Sequence, residues 1–233
     1  TNKSALTSSI AVDLLDEDSS LNLSMNVYEN LSKSDERYEY EFPNYNYRSK
    51  VLSSGKLGNL DFQSRGSKKK YQTNKDITKV INDYFWKSND HIANSGIITN
   101  FEGNLKNSNY KAERTSKWKS EKTNYEIAGA LSVTNSLPLE KVDENYKKNL
   151  TPKLMLRFAP GHMRKLTNSS VKLSNSNLFA LNKLSEIDTI EKGTSLTLGT
   201  DYSHQNKKNE FKAINLSIGQ VFNLDSNHDM SKQ

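Results

Sequence analysis

Residues 177–202 read "NLFALNKLSEIDTIEKGTSLTLGTDY". The second half alternates: Leu196, Leu198, Thr200 and Tyr202 fall on one side, and Thr197, Gly199 and Asp201 on the other. Period-two alternation describes a β-strand with one apolar and one polar face. The first half carries Glu186, Asp188 and Glu191 close to Lys183 and Lys192. Paired carboxylates do acid/base chemistry only where a concave pocket drives their pKa values apart. Here two lysines favour the ionised forms, so the reading is a polar connection, marked by Asp188 and Gly193, that feeds a strand starting near Ser195.

The same alternation recurs along the chain. Ile10, Val12 and Leu14 alternate with Ala11 and Asp13. Leu21, Leu23, Met25 and Val27 alternate with Asn22, Ser24 and Asn26. Further segments follow Tyr38–Phe42, Leu60–Phe62, Tyr125–Val133, Leu154–Phe158 and Ile214–Ile218. Only "DITKVINDYFWKS", residues 76–88, departs. Ile77, Val80, Ile81, Tyr84 and Phe85 have helical spacing, yet strands on both sides favour reading 77–86 as a strand with an aromatic rim. Long polar stretches, such as Ser64–Asp76, Thr134–Asn149, Gly161–Ser176 and Ser203–Glu210, are read as connections.

Only 33% of the 233 residues are hydrophobic, and the mean hydropathy is −0.82. A packed soluble domain has a larger apolar share. Disorder fits poorly with 11 Tyr, 8 Phe, 2 Trp and four Pro placed in ordered patterns. An antiparallel sandwich would need two bulky apolar faces. A transmembrane barrel needs one, because lipid covers it while polar side chains line the lumen. Tyr28, Tyr38, Tyr40, Tyr45, Tyr47, Trp86, Tyr110 and Tyr202 near candidate strand ends agree with interfacial aromatic girdles. The fold expected is therefore all-β, an antiparallel transmembrane β-barrel segment with long polar loops.

No catalytic, cofactor or metal site is legible. The chain has no cysteine, and His91, His162, His204 and His228 stand apart. No Gly-x-Ser-x-Gly elbow, Walker loop or dinucleotide fingerprint occurs. No run approaches the roughly 20 apolar residues of a spanning helix. The net charge is +6, with basic groups at Lys68–Lys70, at Lys111, Arg114, Lys117, Lys119 and Lys122, and at Lys207–Lys208. These suit anionic lipid or a polyanion, although solvated loops are the simpler reading of each group alone.

Several blocks, in order, resemble the LptD family of outer-membrane lipopolysaccharide-assembly proteins, in its barrel domain. The opening stretch is the clearest, with Leu178-Phe179, Lys183, Glu186-Ile187-Asp188, Gly193 and Leu196-Thr197-Leu198-Gly199. "FKAINLSIGQVFNL", residues 211–224, resembles the family's Gly-Gln strand at Gly219 and Gln220. "YEYEFPNYNY" and "LTPKLMLRFAPG" supply Pro43, Pro152, Arg157 and Pro160 as further fixed points. Lys183 stands where the family often has Arg, and Glu186 where it often has Gly. Lys keeps the charge without the planar fork.

The resemblance implies a protein of the Gram-negative outer membrane that inserts lipopolysaccharide into the outer leaflet, with no bond chemistry. It implies an LptE-type plug lipoprotein and periplasmic bridge proteins as partners, besides membrane lipid, and neither cofactor nor nucleic acid. Residues 1–233 would be the middle-to-late part of the barrel, about 11 strands at roughly 20 residues each. The periplasmic jellyroll and the terminal strands would lie outside the chain. Expected lumen-facing residues are Asn22, Ser24, Asn26, Asp61, Gln63, Thr197, Asp201, Asn215 and Ser217. Leu21, Leu23, Leu60, Phe62, Leu196, Leu198, Leu216 and Ile218 would face lipid. Rival readings are another outer-membrane barrel, such as a porin or lipase, and a soluble basic β-module.

Overall fold

The computed structural model describes residues 5–32, 37–71, 75–114, 123–161, 163, 172–184, 187–208 and 213–225. Within them the chain is all β. The strands are β1 Ala5–Leu15, β2 Ser19–Asn30, β3 Tyr38–Ser54, β4 Gly58–Tyr71, β5 Asp76–Lys87, β6 His91–Ile92, β7 Ile98–Glu113, β8 Asn124–Ser136, β9 Leu139–Val142, β10 Tyr146–Ala159, β11 Gly193–Asn206 and β12 Ala213–Asn223. They form one antiparallel sheet in the order β1-β2-β3-β4-β5-β7-β8-β10-β11-β12, with β6 on β7 and β9 on β10. Each long strand neighbours the next long strand in the chain, so the sheet is a meander. It is open, with β1 and β12 at its two ends.

Residues 77–86 lie within strand β5. Four of the first five are β-branched (Ile77, Thr78, Val80, Ile81), and the aromatics Tyr84–Trp86 follow, a composition that packs well on a pleated surface. β7 went unread in the sequence, because Asn100, Asn104, Asn107 and Asn109 break the apolar alternation.

Several stretches read as connections are strand: β4 continues to Tyr71, β9 and the start of β10 occupy 139–149, and β11 continues to Asn206. Lys68–Lys70 accordingly sit on a strand. Cross-strand ion pairs such as Lys147–Glu140 at 2.8 Å and Lys69–Glu39 at 2.9 Å carry the ladder where apolar side chains run out. Most of 161–176, and Lys117, Lys119, Lys122, His162, Glu186 and His228, lie outside the described residues.

The chain divides into two compact units that share strands. One comprises 1–53, 60–85 and 105–127; the other comprises 54–59, 86–104 and 128–233. In the first unit the carboxylate of Asp83 accepts from Arg65 at 2.6 Å and from Lys106 at 2.5 Å. Tyr110, itself buried, donates to Glu126 at 3.0 Å on that same polar face. Tyr110 is therefore a packed residue rather than an interfacial aromatic, and Tyr45 and Tyr47 stand in the middle of β3. At Phe42–Pro43 two residues of β3 face the single Met25, and the register shifts between Ser24 and Asn26. Proline has no N–H to give the ladder.

In the second unit Leu154 pairs with Leu198 and Leu156 with Leu196, while Met155 pairs with Thr197 and Arg157 with Ser195. Burial runs opposite to that of a soluble sheet. Met155, Arg157 and Thr197 are at most 1% exposed, whereas Leu156, Phe158 and Leu198 are 45%, 51% and 41% exposed. On β12, Leu216 and Ile218 are exposed as well.

Candidate functional site

The packed polar face of the second unit is covered by the chain that joins β10 to β11. Pro160 ends β10, and Gly161 turns in so closely that a Cβ there would come within 2.9 Å of the Ala128 Cα. Met163 is buried just beyond. The small side chains Ala128, Ala130 and Ser132 on β8 leave the room that this segment fills.

Residues 172–184 and 187–192 bury apolar side chains of their own. Leu178, Leu181, Leu184 and Ile190 are all buried. Two asparagines shape the backbone. Asn177 accepts from the Ser174 amide at 2.8 Å and donates to the Lys172 carbonyl at 3.0 Å. Asn182 donates to the Thr189 carbonyl at 2.8 Å and accepts from the Glu191 amide at 3.1 Å, tying the two limbs together. Asparagine holds donor and acceptor on one short side chain, which suits it to this stapling.

The segment is seated on the sheet by two glycines and one arginine. The Phe179 ring lies 3.0 Å from where a Cβ on Gly199 would stand, and the Leu178 methyl 3.1 Å from one on Gly219. Gly199 and Gly219 are cross-strand partners on β11 and β12, so together they make a flat bed for both side chains. Arg157, 1% exposed, spreads its guanidinium over three carbonyls: Nε donates to Leu181 at 2.5 Å, Nη2 to Glu191 at 2.5 Å and Nη1 to Gly193 at 3.2 Å. The planar, five-donor fork of arginine reaches three acceptors spread around it, which the compact ammonium of lysine does not span. Gly193 itself holds φ at +120°, a conformation that side-chain-bearing residues rarely adopt.

The polar connection expected before β11 packs its charged groups away from water. Lys183, Asp188, Thr189 and Glu191 are each at most 2% exposed. Lys183 Nζ faces Glu191 Oε2 at 3.7 Å. Burial pulls the Lys183 ammonium below its ordinary range; Glu191 opposes this shift and Arg157 adds to it. Glu191 is the counter-charge that the fold sets against the buried Lys183 ammonium. What sequence could not show is that Arg157, 24 to 36 residues upstream of them, provides the counterpart for this loop's carbonyls.

The residues singled out from sequence separate clearly. Phe179, Lys183, Asp188, Gly193, Gly199 and Gly219 lie in or against the infolded segment. Gln220 points to the open face and donates only to the Val221 carbonyl, at 3.4 Å. Thr197 is fully buried beside Met155; Asp201 forms an ion pair with Lys153. Ser217 pairs with Asp201 and Asn215 with Ser203 across β11–β12. In the first unit Asn22 donates to Asp13 at 2.7 Å, Asn26 to Glu41 at 3.2 Å and Gln63 to Asn46 at 2.6 Å. Ser24 is buried, and Asp61 is exposed.

A cavity of about 210 Å³ remains between the segment and the sheet, with Lys153, Asp201 and Ser217 on one wall and Asn175, Ser176 and Phe179 on the other. Among the described residues no group of three His, Asp or Glu is placed to hold a metal ion. No helix there is long and apolar enough to cross a membrane, which says nothing of strands.

An antiparallel meander that buries its polar face, exposes its leucines and folds a connection onto the polar side defines a wall of the transmembrane-barrel class. The chain's particular place in that class comes from its sequence. The model of the LptD family, LPS transport system D, matches residues 1–233, the whole chain. The chain belongs to that family, which is one of outer-membrane proteins that transport and assemble lipopolysaccharide. Among curated proteins nothing matches.

Proposed function

We propose that this chain forms part of the wall of an outer-membrane translocon that delivers lipopolysaccharide to the outer leaflet of a Gram-negative bacterium. The work is transport, with no covalent step. The observation that carries this reading is the inverted polarity of β10 and β11, with Arg157 and Thr197 packed while Leu156 and Leu198 stand open. On β10 the open row from Leu150 to Phe158 spans eight residue steps. At about 3.3 Å per step that is about 26 Å of strand, or about 20 Å along the membrane normal at a tilt of about 40°, most of the roughly 25 Å apolar band of such barrels.

On this reading lipid covers the row Leu154, Leu156, Leu196, Leu198, Leu216 and Ile218, with Leu21, Leu23, Leu60 and Phe62 doing likewise on β2 and β4. The lumen is lined by Asn22, Ser24, Asn26, Asp61, Gln63, Thr197, Asp201, Asn215 and Ser217. Ser24 and Thr197 are packed away on that side, and the polar groups of the others suit a hydrated sugar chain. Membership of the family supports an LptE-type plug lipoprotein and periplasmic bridge proteins as partners, and supports placing the chain within the barrel domain.

The test is replacement of the native protein by an inducible copy. Newly made, labelled lipopolysaccharide is then followed to the cell surface. Surface arrival should stop on depletion and return with the wild-type copy. Unchanged arrival during depletion would overturn the proposal, as would protein that folds in plain buffer and stays out of the membrane fraction.

A further inference from the structure

The open face of the first unit changes character along β4, β5 and β7. Phe62, Tyr84 and Leu105 share it, with the Phe62 and Tyr84 rings 4.8 Å apart. Two residues further along each strand polar side chains take over, with Val80 the apolar residue beyond them on β5. Tyr45 and Ser64 share a hydrogen bond at 3.2 Å, and Ser64 donates to Asn82 at 2.8 Å. Asn82 donates to Asn107 at 3.3 Å, and Asn109 to Asn107 at 2.6 Å. A hydroxyl and amide ladder of this kind satisfies polar groups that would be costly in hydrocarbon. It marks the edge of the apolar band.

Beyond the ladder, on the same face, stand Lys68 and Lys70 of β4 and Lys111 of β7, all exposed. Their open-face position follows from the strand alternation, since Lys69 between the first two turns to the opposite face and pairs with Glu39 and Glu41. Lys68 lies 3.9 Å from Asp76, and Lys111 2.7 Å from Glu113. Glu113 also lies in the field of Arg114 and Lys68. Among the described residues, Lys68, Lys70, Lys111 and Arg114 stand near Asp76 and Glu113 at this end of the face. Tyr125, 76% exposed, stands on the open face of β8.

Positive charge just past an apolar edge is placed where phosphate groups of a lipid lie. We propose that Lys68, Lys70 and Lys111 form a docking surface on the outside of the barrel wall for the phosphorylated headgroup of a membrane glycolipid. This rests on the reading of the open face as lipid-facing. It concerns a lipid standing beside the wall, rather than cargo inside it. The amide ladder meets the sugar level, and the lysines meet the phosphates.

The test uses the full-length protein in phosphatidylcholine nanodiscs containing a minor share of lipid A, either diphosphorylated or dephosphorylated. Lipid retained by the protein is counted by native mass spectrometry. Wild-type protein should prefer the phosphorylated form. Each lysine is worth about fivefold at an anionic surface, so Lys68→Gln, Lys70→Gln and Lys111→Gln combined should reduce that preference at least tenfold. The corresponding triple arginine variant should keep it. Equal retention by wild-type and triple-Gln protein overturns the inference, as does wild-type protein without preference. Inorganic phosphate that binds the lysines equally well without lipid would make this a free-anion site, and overturns the assignment to a headgroup. Insertion is read separately from heat-modifiable migration. Wild-type protein that does not insert overturns the lipid-facing reading and this inference with it.

Discussion

Phe179 lies flat on Gly199: two carbons of its ring are 3.0 Å from the point where a side chain on that glycine would begin, and the Ile218 carbonyl is 2.8 Å from the same point. The segment before β11 therefore depends on a missing side chain within the strand that follows it. Gly199→Ala must push the ring or the neighbouring strand, and overpacking of this kind costs about 1–3 kcal/mol. The expected outcome is a segment that lifts from the sheet while the strands persist. Limited trypsin digestion would show it as faster cleavage after Lys183 and Lys192. An unchanged rate would mean that the ring is not seated there.

Arg157 gives the second prediction. Its guanidinium serves the Leu181, Glu191 and Gly193 carbonyls. Arg157→Met leaves buried carbonyls without donors, at about 1–3 kcal/mol for each group left unsatisfied. Arg157→Lys keeps the charge but offers a compact ammonium in place of a fork, so it should recover only part of the loss. Thermal unfolding followed by heat-modifiable migration would rank the three proteins. Lysine equal to arginine would show that charge alone matters.

The buried pair Lys183–Glu191 is tested by a double-mutant cycle. Removing Glu191 alone strands a buried ammonium, and breaking such a pair costs about 3–5 kcal/mol. Glu191→Leu should therefore destabilise strongly, while Lys183→Met with Glu191→Leu should recover most of the loss. The pH dependence has a definite sign. The folded pKa of Lys183 lies below the ordinary 10.5, so between the two values the unfolded chain binds more protons than the folded one. Stability should rise with pH across that window and be lost as pH falls through the folded pKa. Lys183→Met should flatten the dependence. An unchanged slope would assign it elsewhere.

Sequence alone made the strands legible because period two survives wherever one face is apolar: Leu154, Leu156 and Phe158, or Leu216 and Ile218. It failed at β7, where Asn107 and Asn109 occupy open-face positions, and in strand extensions such as Lys147–Asn149, held by ion pairs. The infolded segment was flagged by the right residues and given the wrong environment. Glu191 and Lys183 read as part of a polar connection, and charged residues are seldom fully buried unless paired. Their burial depends on Arg157 and on the Gly199–Gly219 bed, and both are matters of strand register. Gln220 shows the converse, for it neighbours Gly219 in sequence but takes no part in the assembly.

The last prediction separates the two faces of β11 and β12. Leu198 and Leu216 are 41% and 52% exposed, while Asn215 pairs with Ser203 on the opposite face. A lysine placed against the bilayer midplane costs about 2–4 kcal/mol, and less near the interface. Leu198→Lys and Leu216→Lys should each lower the yield of protein folded into lipid vesicles. Asn215→Lys adds the same charge one residue from Leu216 and should fold at the wild-type yield if, as proposed, this face lines a watery lumen. Depth refines the comparison. Leu198 lies midway along the open row and should suffer more than Phe222→Lys near the strand end. Equal yields for Leu216→Lys and Asn215→Lys would remove the face assignment, since nothing else distinguishes neighbouring residues of one strand so sharply.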